Sequence, residues 1–180
     1  MKKIIIDRIT KIILIFVILL SFVGCAQMGK YSISKPPVQD TKYFKNVEVS
    51  KIEVGLTTDE IDNDTTYELR SAIIESIQKK NIYQQVLNEL DNDEDALKIE
   101  CKIIELDNGD QFIRWLLGMG IGKAHLDVSC KFINKKTNQV FASGTFTGEI
   151  SGGIFGGEAD QKLMSKFVAE AIARFLKKGE

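Results

Sequence analysis

Among the side chains able to do covalent chemistry, Cys25 has the most informative surroundings. It closes the run Leu20-Ser21-Phe22-Val23-Gly24-Cys25, which follows a basic front of Lys2, Lys3, Arg8 and Lys11 opposed by the single acid Asp7. Residues 12–23 are apolar apart from Ser21. That run is too short to cross a bilayer, which takes roughly 20 apolar residues. A cationic front, a short apolar stretch and a small residue before the cleavage point are the parts of a secretory signal.

The stretch resembles the bacterial lipobox, an aliphatic residue, a small residue, Gly or Ala, then Cys, with Phe22 standing where Leu is preferred. The resemblance implies removal of residues 1–24, a diacylglycerol thioether on Cys25 and an amide-linked acyl chain on its new amino terminus. Several acyl chains hold far more firmly than one, because each buried CH₂ contributes about 0.8 kcal/mol. An ordinary cleaved signal and an uncleaved short anchor are the alternatives. Ala26, rather than Asp, follows the cysteine, and by the same resemblance this points to an outer membrane, facing the periplasm. The expected address is therefore the cell envelope.

Other chemistry is weaker. Gly118-Met119-Gly120-Ile121-Gly122-Lys123 invites a phosphate loop, but Leu117 and Ala124 stand where that motif needs Gly and Ser or Thr. The dinucleotide fingerprint fails because its third glycine falls on Lys123, and both motifs open helices whereas this stretch leads into a predicted strand. Asp91, Asp93 and Asp95 begin like a calcium loop, yet Ala96 replaces its glycine and Lys102 its closing Glu. The only histidine, His125, leaves no zinc triad. Glu105, Asp107 and Asp110 could form an acid/base pair only in the general sense that any acidic protein offers one. No catalytic residue, metal ligand or cofactor site is assigned, and the chain is read as not an enzyme.

The whole chain carries a formal charge of −1. Its first 24 residues hold four basic and one acidic side chains and account for +3, which leaves −4 on the remainder. Nucleic-acid binders present clustered Lys and Arg, so that partner is excluded. The 156 residues after the signal suffice for one domain with a proper core.

The expected organisation is a signal peptide over 1–24, an acylated N-terminus and flexible tether over 25–45, and one α+β domain over 46–180. The tether reading rests on a polar stretch with Ser32, Ser34 and the Pro36-Pro37 pair. Val47 and Val49, then Ile52, Val54 and Leu56, predict one strand bulged near Ser50-Lys51. Thr65 with Glu68 fits a capping box for a helix whose apolar stripe is Leu69, Ile73 and Ile77. A short strand over 82–87 is followed by the alternating Leu97, Ile99, Cys101 and Ile103. Ala124, Leu126, Val128, Cys130 and Phe132 alternate in the same way and form a hairpin with residues 139–150 across the polar turn 134–138. Leu163, Met164, Phe167, Val168, Ala171, Ile172, Phe175 and Leu176 define a terminal helix. Alternation with one solvated face predicts a mainly antiparallel sheet of four to five strands with two amphipathic helices on one face. Cys101 and Cys130 lie in phase with apolar neighbours, as two buried thiols or, if their strands pair side by side, as a disulfide.

Two glycine-rich segments stand out: Phe112 to Lys123, which includes Arg114, Trp115, Leu116, Gly118, Met119, Gly120, Gly122 and Lys123, and Ser151-Gly152-Gly153-Ile154-Phe155-Gly156-Gly157. The first precedes one hairpin strand and the second follows the other, so both belong at one end of the sheet. Their apolar residues either close the core or, left exposed, mark a protein or membrane contact. With the Ala-rich terminal helix, these two motifs resemble the bacterial lipoproteins grouped as domain of unknown function 4410, over roughly residues 45–178. That family supplies a location and a domain rather than an activity. The element order is also similar to small α+β domains of envelope assembly lipoproteins, such as the curli secretion channel subunit and penicillin-binding-protein activators, a likeness of fold alone. The leading functional expectation is a non-catalytic envelope protein, lipid-anchored through Cys25, that binds another envelope protein or itself through the glycine-rich segments. The rivals are a periplasmic binding protein for a lipid or small hydrophobic ligand and a hydrolase using carboxylates.

Overall fold

The computed structural model describes residues 29–37, 41–55, 61, 63–90, 95–109, 123–150 and 158–178. Strands are β1 (Lys30–Lys35), β2 (Asn46–Val49), β3 (Glu53–Val54), β4 (Gln85–Leu87), β5 (Ala96–Asp107), β6 (Ala124–Asn134) and β7 (Gln139–Ile150). The helices are α1 (Asn63–Gln78) and α2 (Glu158–Lys178), with a 3-10 turn at Thr41–Tyr43. Residues 1–24, expected to be a signal peptide, lie outside the described residues.

Among the described residues the strands form one seven-stranded sheet, ordered β1-β7-β6-β5-β2-β4, with β3 also on β5. The pairs β1/β7, β6/β7 and β5/β6 are antiparallel. Those of β2 with β4, β2 with β5 and β3 with β5 are parallel. This mixed sheet corrects the expected mainly antiparallel sheet of four to five strands. The reason is physical. Alternation reports that one face is solvated, and says nothing about strand direction. Here α1 carries the chain from β2 to β4 as a crossover, and a crossover makes the strands it joins parallel.

Two further corrections concern β1 and α1. Residues 30–35, expected within a flexible tether, are paired with β7 from Lys30↔Thr147 to Lys35↔Ser143. Tyr31 packs its ring 5.8 Å from Phe146 and 5.9 Å from Phe175, so burial on the helix face holds the strand in place. The first helix starts at Asn63, which puts Thr65 inside its first turn and not at its cap. The Thr65 hydroxyl instead donates to Gln161 Oε1 at 2.9 Å, and Glu68 receives Lys162 Nζ at 2.9 Å, so both would-be capping residues tie α1 to α2.

The core lies between the sheet and the two helices. Leu97, Ile99, Cys101 and Ile103 of β5 and Leu126, Val128, Cys130 and Phe132 of β6 are buried, together with Leu69, Ile73 and Ile77 of α1. The terminal helix adds Met164, Val168, Ile172, Phe175 and Leu176. It packs on β7, β6 and β1, whereas α1 packs on β2 and β4 and on α2. The opposite phase of the strands, including Ser129, Thr145 and Thr147, is only partly buried, which leaves the second face of the sheet open and polar.

Two polar locks close the end of the sheet opposite the glycine-rich segments. Thr41, fully buried, donates to the Leu176 carbonyl at 2.7 Å and so satisfies one of the orphan acceptors at the end of α2. Glu48, 8% exposed, accepts from Lys135 Nζ at 2.6 Å and from the Leu90 amide at 3.3 Å. A buried charge is tolerable only when paired and hydrogen-bonded in this way.

The seat of α2 is tight. A Cβ on Gly148 would fall 2.2 Å from the Met164 carbonyl oxygen, a backbone atom that cannot turn aside. Gly148→Ala is therefore expected to lower unfolding free energy by about 1–3 kcal/mol, the usual cost of overpacking. Urea denaturation measures this, and an unchanged midpoint would mean that α2 does not rest on this residue.

Candidate functional site

The strand register sets side by side the strand ends from which the two glycine-rich segments leave. Ala124, the first residue of β6, pairs with Ile150, the last of β7. On the other side of β6, His125 pairs with Asp107, the last residue of β5. The segments 110–122 and 151–157 therefore leave from neighbouring strand ends. Thr65 and Gln161 meet near the first turns of α1 and α2, so both helices begin at this end too. Of the expected surface, Arg114, Trp115, Leu116, Gly118, Met119, Gly120, Gly122, Gly152, Gly153, Phe155, Gly156 and Gly157 lie outside the described residues, as does Cys25.

Lys123 is described. Its ammonium donates to Glu149 Oε1 at 2.7 Å, and Lys30 from β1 reaches Glu149 Oε2 at 3.2 Å. One carboxylate thus ties β1, the start of β6 and the end of β7. The Lys123 hydrogen bond, and after it that of Lys30, holds the Glu149 carboxyl below the usual range, against an opposing effect of burial. The acidic residues weighed for catalysis are only partly assembled. His125 Nε2 lies 3.1 Å from Glu105 Oε1, while its Nδ1 is 3.9 Å from Asp107 Oδ2, beyond hydrogen-bond reach. Asp110 lies outside the described residues. Among the described residues no group of three or more His, Cys, Asp or Glu is arranged to hold a metal ion.

A hollow of about 330 Å³ opens beside β3, β5 and β6, bordered by Lys51, Glu53, Glu100, Lys102, Ser129 and Lys131. Charged and hydroxyl side chains suit water and polar groups better than a hydrophobic ligand.

Cys101 and Cys130 are directly opposite on β5 and β6 and form a disulfide, with Cα atoms 4.2 Å apart. Of the two readings left open by the sequence, the structure has the bridge. Both cysteines are buried, at 3% and 0% exposure.

Sequence reasoning missed the seat of Gly29. This residue is buried, its carbonyl accepts from Arg174 Nη2, and an added Cβ would lie 1.9 Å from the Phe167 oxygen. The available signal was the alternation of Tyr31 and Ile33 with Lys30, Ser32 and Ser34, a period-two pattern beginning just after Gly29.

The described residues define a two-layer α+β domain: a mixed sheet with one open face and two helices on the other. The model for the domain of unknown function DUF4410 matches residues 39–153, more than half of the chain, and the chain belongs to that family. No curated protein matches the sequence. Among solved structures the chain is similar to a PelC dodecamer from Paraburkholderia phytofirmans, at 14% identity and a TM-score of 0.52, over 81% of this chain and 97% of that one. A second PelC dodecamer structure from the same organism gives 16% identity and a TM-score of 0.51 over the same shares. A DUF4136 family protein from Bacteroides thetaiotaomicron has 12% identity and a TM-score of 0.50, over 82% of this chain and 97% of its own. At these identities the likeness is one of fold.

Two measurements follow from this geometry. A carboxyl whose folded pKa is depressed contributes stability that is complete above its unfolded value, about 4.3, and lost as pH falls through the folded pKa. Glu149→Gln should cost less than about 1 kcal/mol at pH 7, as expected for pairs with exposed lysines, and should flatten the acid limb of a stability–pH curve. An unaltered acid limb would remove Glu149 from the pH response. For the bridge, which closes a separation of 29 residues, the double change Cys101→Ala with Cys130→Ala should cost about 3.6 kcal/mol by the loop-closure argument. Wild-type protein showing equal urea midpoints with and without reductant under denaturing equilibrium would contradict the bridge.

Proposed function

We propose that this chain is a non-catalytic assembly module of the bacterial cell envelope, lipid-anchored at Cys25, whose copies associate through the end of the sheet that carries the glycine-rich segments. The observation that carries the reading is the pairing of Ala124 with Ile150, which makes two apolar, glycine-rich segments leave from adjacent positions. Glycines permit close approach of a partner backbone, and Trp and Phe supply the anchors that dominate most interfaces. The Cys101–Cys130 bridge supports an oxidising compartment, since such bonds persist in exported proteins. The dodecameric state of the PelC proteins that share this fold supports self-association over a single soluble copy. The outer membrane, facing the periplasm, is the expected site, by the Ala26 rule for lipoprotein sorting.

The test uses the full chain made in bacteria. Labelled palmitate should enter the wild type and be absent from Cys25→Ser. Crosslinking in cells should give multimers that disappear on joint replacement Trp115→Ser and Phe155→Ser, while circular dichroism and the disulfide are unchanged. Multimers that survive the double replacement would remove the glycine-rich end as the association surface.

A further inference from the structure

The position of Gly29 fixes how far the domain can stand from its anchor. Only residues 26–28 separate it from Cys25. Four residue steps at 3.3–3.6 Å reach about 14 Å at most, whatever path the chain takes. Gly29 cannot slide out to lengthen that reach. It is enclosed against the backbone of Phe167, its carbonyl is held by the Arg174 guanidinium, and the strand that follows is paired with β7 through Lys35.

The register also gives the direction. Because Lys30 pairs with Thr147 in antiparallel sense, the chain preceding Lys30 enters from the side of Gly148, Glu149 and Ile150. From Thr147 the β7 strand continues only three residues to Ile150 but runs back nine to the Asn138 turn. At about 3.3 Å per residue the turn is about 30 Å away, twice the reach of the anchor. The anchor can thus lie beside the loop end and not beside the turn end.

We infer that the domain stands end-on against a phospholipid surface, with the ends of β6 and β7 and the start of β1 facing the lipid and the 134–138 turn pointing away. This rests on acylation at Cys25 and adds the partner of that end of the molecule. Lys30 and Lys123, 68% and 46% exposed and both paired with Glu149, are among the described cations at that end and lie within reach of lipid phosphates. Anchored copies held this way carry their glycine-rich ends at one height above the bilayer, so association occurs side by side within the membrane plane.

The experiment uses the acylated full chain in vesicles of phosphatidylcholine and phosphatidylglycerol containing a headgroup-linked nitroxide quencher. One fluorophore is placed by Lys123→Cys at the loop end, by Ser34→Cys on the β1 edge or by Thr137→Cys in the turn, the native disulfide being left oxidised. Quenching should be severalfold greater at 123 than at 34 or 137. Insertion of ten Gly/Ser residues between Met28 and Gly29 should abolish that difference while the mass of the N-terminal peptide still shows acylation. Equal quenching at 34 and 123 would mean that the domain lies on its edge, and weak quenching at all three that it is held off the lipid; either overturns the orientation with the anchor intact. An unacylated N-terminal peptide would instead overturn the reading on which the orientation rests.

Discussion

Helix α2 lies against the sheet closely enough that two of the residues beneath it have no side chain. At Gly148 the Met164 carbonyl occupies the place a Cβ would take, and at Gly29 the Phe167 carbonyl does the same. Backbone-to-backbone contact of this kind fixes the helix along and across the strands, because neither partner can adapt by changing a rotamer. The rest of the core is then determined. Phe175 meets Phe132, Phe146 and Tyr31 at ring-centroid distances of 4.9, 5.9 and 5.9 Å, and the Leu176 carbonyl reaches Thr41. The same seat holds the chain at Gly29, so packing in the core and the placement of β1 are one constraint.

That coupling explains which parts of the fold were legible. The hairpin of β6 and β7, the strand β5 and the terminal helix all bury one face of a regular element, and burial leaves a period of two or of three to four in the sequence. Strand direction leaves no such mark. The valines of β2 and the alternating residues of β5 would look the same in either sense, and only the crossover through α1 decides it. β1 was missed because its two inward residues, Tyr31 and Ile33, are only partly buried. At an edge, polar and cationic residues also guard against stray pairing, so the segment looks like solvated chain.

The candidate site was legible to the extent that it follows from hairpin geometry. Placing both glycine-rich segments at one end needs only the antiparallel relation of the two strands that flank them, which Ala124↔Ile150 provides. The Glu149 ion pairs were not legible, because Lys30 and Lys123 are remote from each other in sequence and acquire a shared partner only when β1 takes its place beside β7. The disulfide stood between these cases. Phase put both cysteines on the buried side of their strands, but the choice of Cys130 as the residue opposite Cys101 depends on the register of β5 against β6, including the irregularity between Ile103 and Glu105. A one-residue slip would have placed the thiols on opposite faces.

The mixed sheet also bears on which strand ends come together. β3 and β5 run parallel, so both finish at the end where the antiparallel β6 begins, and β7, parallel to neither neighbour, finishes there as well. Both helices start at that end, which gives it three connections, from β3 to α1, from β5 to β6 and from β7 to α2, besides the start of β1. The opposite end has the tight 134–138 turn, the Thr41 contact to α2 and the Glu48–Lys135 pair. One end thus has a hairpin turn and buried paired groups, while the other brings together the ends of β3, β5 and β7 and the starts of β6 and both helices. A fold shared at 12–16% identity with other bacterial proteins carries no function by itself, because function resides in the particular residues set on it.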